Sequence, residues 1–322
     1  MKAVLTRRAV LTRGLAAAAA LTLRESAHTA GDDAVPRSRH ALHPSGSLQD
    51  APLHRRIPSS GDEIPSIGLG SWQTFDVGPG EAERAPLRDV LRRFVALGGR
   101  VIDSAPMYNR SEGVIGDLTR ELELRSRIFL ATKVWTRGRT EGVRQMQTSL
   151  ERLRAEQIEL MQVHNLVDMD AHLETLAGWK ADGRVRYVGV THYTASAHAQ
   201  LERAITMHDV DFVQLNYSLA EPEADRRLLP LAAERGVAVL VNRPFAEGSL
   251  FSHARGRELP AEAASFGARS WAQVFLKWIL GHPAVTCVIP ATSNPRHLED
   301  NMGALIGGLP SEAMRRRILD WI

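Results

Sequence analysis

The sequence from residue 57 onward predicts a (β/α)8 barrel, in which eight parallel strands form a closed cylinder inside a ring of helices. Eight short apolar runs alternate with helical patterns along this segment, and such alternation is typical of parallel βαβ units. An open doubly wound sheet is the competing arrangement, and one that binds a dinucleotide carries Gly-x-Gly-x-x-Gly after its first strand. Here Gly68-Leu69-Gly70 is followed by Ser71-Trp72-Gln73, so the third glycine is absent. The strand number and the segment length therefore favour the barrel.

The strand predictions rest on short apolar runs bounded by polar or turn-forming residues. In chain order they cover residues 66–70, 100–103, 128–133, 159–164, 187–190, 212–216, 237–241 and 286–290. Amphipathic patterns of helical period lie between them, for example at residues 87–97, 143–153, 171–180 and 224–235. Glycine-containing turn signals follow several of these patterns, as at Gly98-Gly99. Strands and helices thus alternate as a barrel requires.

Residues 1–56 differ in charge from the rest of the chain. The whole chain has a formal charge of +3, but residues 1–56 hold nine basic and four acidic side chains, a net charge of +5. The remainder is therefore close to −2. A positively charged protein surface favours nucleic-acid binding, and the barrel segment lacks one. We expect no nucleic-acid partner.

The first 30 residues have the pattern of an export signal. Arg7-Arg8 precede a weakly apolar run at residues 15–23, which is far shorter than the roughly 20 residues that span a bilayer. A charged region followed by a short apolar region is typical of a secretory signal, and the arginine pair resembles the twin-arginine signal. We therefore predict export to the periplasm or beyond by the twin-arginine machinery, without a stable membrane span. A cytoplasmic protein with an alanine-rich helical start is the alternative.

Residues 31–55 separate this predicted signal from the barrel. The segment contains three prolines, several serines and scattered charges but no apolar period, which predicts a disordered linker. We expect the folded domain to cover residues 56–322. The single cysteine, Cys287, excludes an intramolecular disulfide and a cysteine-rich metal site. No His-x-His follows the first strand and no Gly-x-Ser-x-Gly occurs, so we predict neither a catalytic metal nor a serine hydrolase.

Four polar side chains stand at or just after the ends of three consecutive strands, where barrel enzymes carry their active sites. The second strand ends at Asp103, with Tyr108 five residues later; the third ends at Lys133, and the fourth at His164. Lysine is almost never fully buried unless it is paired, and only four of the forty basic residues of this chain are lysines. Lys133 therefore predicts a position that needs an ammonium group.

These side chains suit proton transfer to a carbonyl oxygen. A phenol has a pKa near 10, and an ammonium group within about 4–6 Å lowers it by one to three units. Lys133 would lower the pKa of Tyr108 in this way, and Asp103 would orient Lys133. His164 would donate a hydrogen bond to the oxygen on which negative charge develops. We predict that Tyr108 delivers a proton while a hydride reaches the carbonyl carbon.

At these spacings the four residues resemble the catalytic tetrad of the aldo-keto reductases. The resemblance covers roughly residues 57–305 and includes IGLGSW (67–72), VIDSAPMY (101–108), GVTHY (189–193), FVQLNYS (212–218) and IPATSNPRHLEDN (289–301). It implies a monomeric barrel opened by a short hairpin, within residues 57–65, that reduces an aldehyde or ketone. It also implies extended NADPH bound without a Rossmann fingerprint. A slow or non-catalytic NADP(H)-binding redox sensor or scaffold subunit is the alternative from another class.

The resemblance also implies which residues bind the cofactor and the substrate. These are Gln214, Thr191 and His192 at the nicotinamide; Ser71 and Trp72 at its ribose and pocket; Ser249 and Leu250 at the pyrophosphate; Thr292, Ser293, Asn294, Arg296 and His297 at the adenosine; and Asp300 and Asn301 at the adenine. Trp135 would line the substrate pocket together with Trp72. No metal is implied.

The sequence departs from the family pattern at three places. Thr191-His192 stands where the family has Ser-Asn, and histidine bonds an amide differently from asparagine. The aromatic residue that stacks on nicotinamide is replaced within residues 242–245, where Arg243 could stack by its planar face or neutralise a phosphate. Ala291 occupies the place of a lysine found in many NADPH-specific members, which leaves NADH open as a second cofactor.

Overall fold

The computed structural model describes residues 51–322, so the predicted export signal and all but the last residues of the predicted linker lie outside the described part. The strands are β1 (His54–Arg56), β2 (Glu63–Pro65), β3 (Leu69–Gly70), β4 (Val101–Asp103), β5 (Phe129–Val134), β6 (Ile158–His164), β7 (Val185–Thr191), β8 (Phe212–Asn216), β9 (Ala238–Asn242) and β10 (Val285–Val288). The helices are α1 (Glu81–Ala96), α2 (Ser111–Glu121), α3 (Arg139–Leu153), α4 (Met169–Ala181), α5 (His198–Met207), α6 (Leu228–Glu234), α7 (Ser249–Ala254), α8 (Trp271–Leu280), α9 (Pro295–Met302) and α10 (Glu312–Ile318).

Strands β3 to β10 form the predicted barrel. Each pairs in parallel with the next, giving an eight-stranded sheet. Parallel bridges join Ile67 to Val288 and Gly70 to Ala291 and thereby connect the first strand to the last. The Gly68 N–H donates to the Val288 carbonyl at 2.8 Å across this seam. The (β/α)8 prediction is confirmed, and strand ends far apart in sequence meet at one mouth.

A two-stranded hairpin precedes the barrel and begins earlier than expected. Strand β1 pairs antiparallel with β2, so residues 54 and 55 belong to the barrel domain rather than to the predicted linker. The Arg55 guanidinium donates to the carbonyl oxygens of Leu280, His282 and Val285, and the Leu53 N–H donates to the Leu305 carbonyl at 2.9 Å. These distant partners order a polar segment that has no apolar period of its own.

The hairpin closes the N-terminal end of the barrel. Ile57 and Ile64 are 0% and 3% exposed and pack in a separate apolar cluster with inward-facing residues near the strand starts, such as Phe129, Leu160 and Phe212. Most of the remaining apolar core lies between the strands and the surrounding helices. Polar side chains are therefore left to fill the opposite, C-terminal end of the barrel interior.

Helix α2 approaches the backbone of α3 closely at Gly116. A β-carbon there would lie 2.1 Å from the Arg152 carbonyl oxygen, whereas a β-carbon at Gly113 of the same helix would meet nothing within 4 Å. We expect Gly116→Ala to lower the free energy of unfolding by about 1–3 kcal/mol, the usual cost of overpacking. Gly113→Ala should leave it unchanged or raise it by up to about 1 kcal/mol. Urea denaturation measures both, and equal losses would contradict the close approach.

Candidate active site

A buried ion pair lies at the mouth of the barrel. Lys133 on β5 and Asp103 at the end of β4 are 0% and 3% exposed, and the Lys133 Nζ lies 2.6 Å from Asp103 Oδ2. The same ammonium donates to the Ser104 carbonyl oxygen at 2.7 Å. Burial lowers the pKa of Lys133, but the carboxylate of Asp103 is the largest of the effects that oppose this, and the pKa lies above its ordinary value. Lys133 is therefore a fixed positive charge.

Tyr108 lies beside this ammonium. The Lys133 Nζ is 5.1 Å from the centre of the Tyr108 ring. The net effect on the phenol differs from the prediction. Burial raises the pKa of Tyr108 above its ordinary value, and the charge of Lys133 opposes this rise without reversing it. Moving a phenolate out of water costs more free energy than the attraction of one ammonium group returns. Tyr108 therefore keeps its proton at neutral pH, as a general acid must.

His164, at the end of β6, completes the group. Its ring makes an edge contact with Tyr108, with 6.2 Å between ring centres, and lies 6.3 Å from the Trp135 ring. Burial, followed by the charge of Lys133, lowers the pKa of His164 to about 2. Its imidazole is therefore neutral and can donate one hydrogen bond. The structure thus brings together all four residues that the sequence predicted to be catalytic.

A chain of amide side chains surrounds the carboxylate of Asp103. Gln214 on β8 donates to Asp103 Oδ1 at 2.8 Å, and Gln162 on β6 donates to the same oxygen at 3.3 Å. The Gln214 Oε1 accepts from Thr191 at 3.2 Å and from Asn242, at the end of β9, at 3.3 Å. Gln162 and Asn242 had no assigned role in the sequence analysis. Gln162 could have been found from its position two residues before His164, since alternate strand residues share a face.

Large apolar side chains stand exposed on the loops that follow the strands. Trp72 after β3 is 47% exposed, Trp135 after β5 is 41% exposed and Tyr193 after β7 is 48% exposed. Gln145 holds the backbone of Trp135, since its Oε1 accepts from the Trp135 N–H at 2.6 Å and its Nε2 donates to the Trp135 carbonyl at 3.2 Å. Tyr193 and Gln145 were not predicted as site residues. The mouth therefore has a polar floor and an aromatic rim.

This geometry agrees with a match between the chain and known proteins. The family model described as Aldo/keto reductase family covers residues 66–317. The chain belongs to the aldo/keto reductase family. The match includes every barrel strand from β3 to β10, as the sequence resemblance predicted.

Named relatives and solved structures agree with this assignment. Aldo-keto reductase str7 of Strobilurus tenacellus is 31% identical over 288 residues, which cover 75% of this chain and 84% of the relative. Methylglyoxal reductase YeaE of Escherichia coli (strain K12) is 28% identical over 260 residues, which cover 78% of this chain and 89% of the relative. A crystal structure of an aldo/keto reductase from Klebsiella pneumoniae in complex with NADP and acetate is 26% identical, with a TM-score of 0.68, covering 81% of this chain and 92% of that one.

Two residues that depart from the aldo/keto reductase pattern, His192 and Arg243, meet in one loop cluster around Tyr193. The His192 Nδ1 accepts from the Tyr193 N–H at 3.0 Å, and the two rings stack with their centres 5.4 Å apart. Arg243 donates to the Tyr193 carbonyl at 3.0 Å and pairs with Glu247 at 3.4 Å. Both predicted roles of Arg243 concerned the cofactor; the observed partners of its side chain are protein groups that support the aromatic rim.

The segment predicted to meet the adenosine caps α9. The Asn294 Oδ1 accepts from the Arg296 N–H at 2.9 Å, and the Thr292 hydroxyl accepts from the Asn294 N–H at 3.0 Å. The side chains of Ser293, Arg296 and His297 are exposed. The side chains of Thr292 and Asn294 therefore shape the turn. Those of Ser293, Arg296 and His297 are free to face a ligand.

Three further residues predicted to bind the cofactor are engaged elsewhere. Leu250 is 1% exposed and its side chain packs in the apolar core, so only its backbone is left to meet a pyrophosphate. Asp300 accepts from Ser270 at 2.8 Å and from Gln273 at 2.9 Å, which joins α9 to α8. Asn301 is only 4% exposed. Ser71 is also buried and donates to the Ser104 hydroxyl at 3.0 Å, close to the ion pair.

Residues 51–322 contain neither a group of side chains suited to a metal ion nor a helix suited to a membrane. No three histidine, cysteine or acidic side chains in this range are grouped to hold a metal. His198, the first residue of α5, has its ring Nε2 2.9 Å from Asn216 Oδ1. No helix in the same range has the length and apolarity needed to cross a membrane.

Proposed function

We propose that this aldo/keto reductase reduces an aldehyde or ketone to the corresponding alcohol, with NADPH as the hydride donor. The observation that carries the proposal is the buried Lys133–Asp103 pair beside Tyr108 and His164 at the barrel mouth. The solved relative from Klebsiella pneumoniae is in complex with NADP, and the Escherichia coli relative is named a methylglyoxal reductase. Both support a small carbonyl compound as substrate.

The polar atoms at the barrel mouth suit a nicotinamide carboxamide. Gln162 Oε1 and Asn242 Oδ1 are buried and have no hydrogen-bond donor within the described part of the chain. A carboxamide NH2 supplies two donors. We assign the nicotinamide end to Gln214, Thr191 and Asn242, with Ser71 and Trp72 beside them.

We assign the adenosine end of the cofactor to the turn before α9. Arg296 and His297 are exposed there, and an arginine fork suits a 2′-phosphate. NADH stays open as a second cofactor because Ala291 supplies no cation.

Each of the four residues has one role in the proposed reaction. NADPH, when bound, supplies the hydride that reaches the carbonyl carbon. Tyr108 holds a proton at Oη and donates it to the carbonyl oxygen, and Lys133 stabilises the phenolate that remains. His164, as a neutral imidazole, donates a hydrogen bond to the same oxygen while negative charge develops. Asp103 holds Lys133. Since one chain provides all four residues, we propose that the enzyme acts as a monomer.

A slow or non-catalytic NADP(H)-binding sensor or scaffold subunit is the second candidate. Two observations favour this second candidate. Gln214 is hydrogen-bonded within the protein, and Arg243 is hydrogen-bonded to the Tyr193 loop. Both change the part of the site that would meet nicotinamide. The two functions separate in one experiment, in which NADPH absorbance is followed with a panel of activated aldehydes while NADPH quenching of tryptophan fluorescence is measured. Turnover supports the reductase; tight quenching without turnover supports the sensor.

We expect that protonation of His164 does not lower the rate of turnover at mildly acidic pH. With a pKa of about 2, its imidazole stays neutral throughout the range of about pH 5–8 in which an ordinary histidine titrates. The raised pKa of Tyr108 keeps the acid form of the phenol present into the alkaline range. The rate of reduction should therefore stay level from about pH 5 to 8 and fall only when Tyr108 deprotonates. A loss of kcat near pH 6 that disappears in His164→Gln would contradict this.

We also propose that residues 1–30 direct the folded enzyme to the twin-arginine machinery and out of the cytoplasm. The Arg7-Arg8 pair and the short apolar run that follows support this. In a bacterial host with that machinery, the natural chain should reach the periplasmic fraction in shortened form, and Arg7→Lys with Arg8→Lys should hold it in the cytoplasm. Full-length natural chain found only in the cytosolic fraction would refute export.

A further inference from the structure

One buried carboxyl group near the mouth has no role in the proposed chemistry. Glu112, the second residue of α2, is 1% exposed. Its Oε1 accepts a hydrogen bond from the hydroxyl of Thr132 on β5 at 2.6 Å. Thr132 is 0% exposed and directly precedes Lys133. Since successive strand residues point to opposite faces, Thr132 meets Glu112 behind the barrel wall while Lys133 points inward to Asp103.

Glu112 is poorly compensated for a buried acid. Its Oε2 makes no close hydrogen bond within residues 51–322, and the nearby hydroxyl of Ser149 on the facing helix α3 only opposes the rise in the pKa of Glu112. The nearest cation is the Arg152 guanidinium at 3.7 Å, whose side chain is 44% exposed. Burial raises the pKa of Glu112. A buried acid with such partners contributes little to stability compared with an apolar side chain of similar size, so stability alone does not account for it.

The position of Glu112 connects the two elements that carry the proton-transfer pair. Tyr108 lies four residues before it, and the Ser111 N–H donates to the Tyr108 carbonyl at 3.0 Å, so Tyr108 and the first turn of α2 form one continuous segment. Lys133 lies one residue after the partner of Glu112. The Glu112–Thr132 hydrogen bond therefore connects the segment that holds Tyr108 to the strand that holds Lys133. It lies on the outer side of the barrel wall, opposite the contact between Lys133 and Tyr108.

We propose that Glu112, acting through Thr132, is a positioning residue that fixes Tyr108 relative to Lys133. The proposal rests on the proposed function, in which Tyr108 donates the proton. Loss of the hydrogen bond lets the first turn of α2 shift along β5, and Tyr108 moves with it. A displacement of about 1 Å at a reacting group is enough to lower a rate by up to about a hundredfold. Cofactor binding, which the proposal assigns to other strands, does not depend on this hydrogen bond.

Two substitutions remove the contact from opposite sides. Thr132→Val keeps the shape and removes the donor, and Glu112→Leu removes the acceptor. Each is expected to lower kcat by about ten- to a hundredfold while the dissociation constant for NADPH, from tryptophan quenching, stays within about twofold. The double variant should lose no more than either single variant, because both remove the same contact. Thr132→Ser, which keeps the hydroxyl, should restore kcat.

A matched control separates positioning from loss of stability. Thr119 on the same helix is also buried, but its hydroxyl donates within the helix, to the Ile115 carbonyl at 2.7 Å. Thr119→Val is therefore expected to lower the melting temperature without changing kcat. A second readout needs no turnover: the 19F resonance of Tyr108 in protein labelled with 3-fluorotyrosine, assigned by its absence in Tyr108→Phe. It should move in Thr132→Val and stay unchanged in Thr119→Val.

These measurements give distinct outcomes. If Thr132→Val and Glu112→Leu change only the melting temperature and leave kcat and the Tyr108 resonance as in the natural protein, Glu112 has a structural role and the proposal fails. If the natural protein shows no turnover with any carbonyl compound, the proposed function fails. In that case, the Tyr108 resonance still decides whether Glu112 positions the ring.

Discussion

Tyr108→Phe is expected to lower kcat for carbonyl reduction by about 10²- to 10⁴-fold, the range that a positioned general acid contributes. The phenyl ring keeps the contact with His164, which is an edge contact with 6.2 Å between ring centres, but it has no proton to donate. Within residues 51–322, Tyr108 is the one phenol that acts on Lys133, so no neighbouring tyrosine replaces it. Steady-state kinetics with NADPH and an activated aldehyde measure the loss.

Binding of NADPH distinguishes this chemical effect from a damaged site. The dissociation constant for NADPH should be unchanged in Tyr108→Phe, because the proposed cofactor contacts lie on the other strands. Tyr193→Phe is the matched control, since it removes a phenol hydroxyl from the exposed rim without touching Lys133. It should keep most of the activity. Full activity in Tyr108→Phe would show that another group donates the proton.

Lys133→Met is expected to have the largest effect on stability. It leaves the carboxylate of Asp103 buried without its counter-ion, and breaking a buried pair from one side costs about 3–5 kcal/mol of unfolding free energy. Gln162 and Gln214 still donate to that carboxylate, which favours the lower end of the range. Turnover should fall as well, because the phenolate of Tyr108 loses the cation that stabilises it. Urea denaturation and kinetics measure the two losses separately.

The chain contains a matched control for this substitution. Lys277 on α8 is also 0% exposed, but its ammonium donates only to the carbonyl oxygens of Ile306 and Gly308, at 2.6 and 2.9 Å. Burial lowers the pKa of Lys277 to about 8. Lys277→Met leaves no buried charge behind, so it should cost less stability and no activity. Combining Asp103→Asn with Lys133→Met should recover stability but not turnover; equal stability of Lys133→Met and the natural protein would contradict the argument.

The barrel strands could be predicted because strands of a parallel barrel are buried on both faces. Residues 237–241 and 212–216 are continuous apolar or nearly apolar runs for this reason, and the structure forms β9 and β8 there. The four proposed catalytic residues could be predicted because three of them end barrel strands and Tyr108 follows one closely. Closure of the barrel then brings such ends to one mouth, whatever their separation along the chain.

The hydrogen-bond partners of each residue could not be predicted in the same way. Arg55 looked like part of a polar linker, yet carbonyl oxygens near β10 order it. Leu250 and Asp300 matched positions of a cofactor site, yet Leu250 packs in the core and Asp300 joins α9 to α8. Nothing in the sequence predicted the hydrogen bond from Thr132 to Glu112, apart from the closeness of these residues to Lys133 and Tyr108 along the chain.

The sequence by itself determined the class of fold, the family and the residue types at the mouth, because apolar period and residue order depend on local geometry. The tertiary structure decided what those residues do to one another. Tyr108 is the clearest case: Lys133 lies beside it and opposes the rise of its pKa, but the net direction of that pKa is the reverse of the one predicted from the sequence. Desolvation depends on every group that surrounds the phenol, and those groups come from strands and loops far apart in sequence.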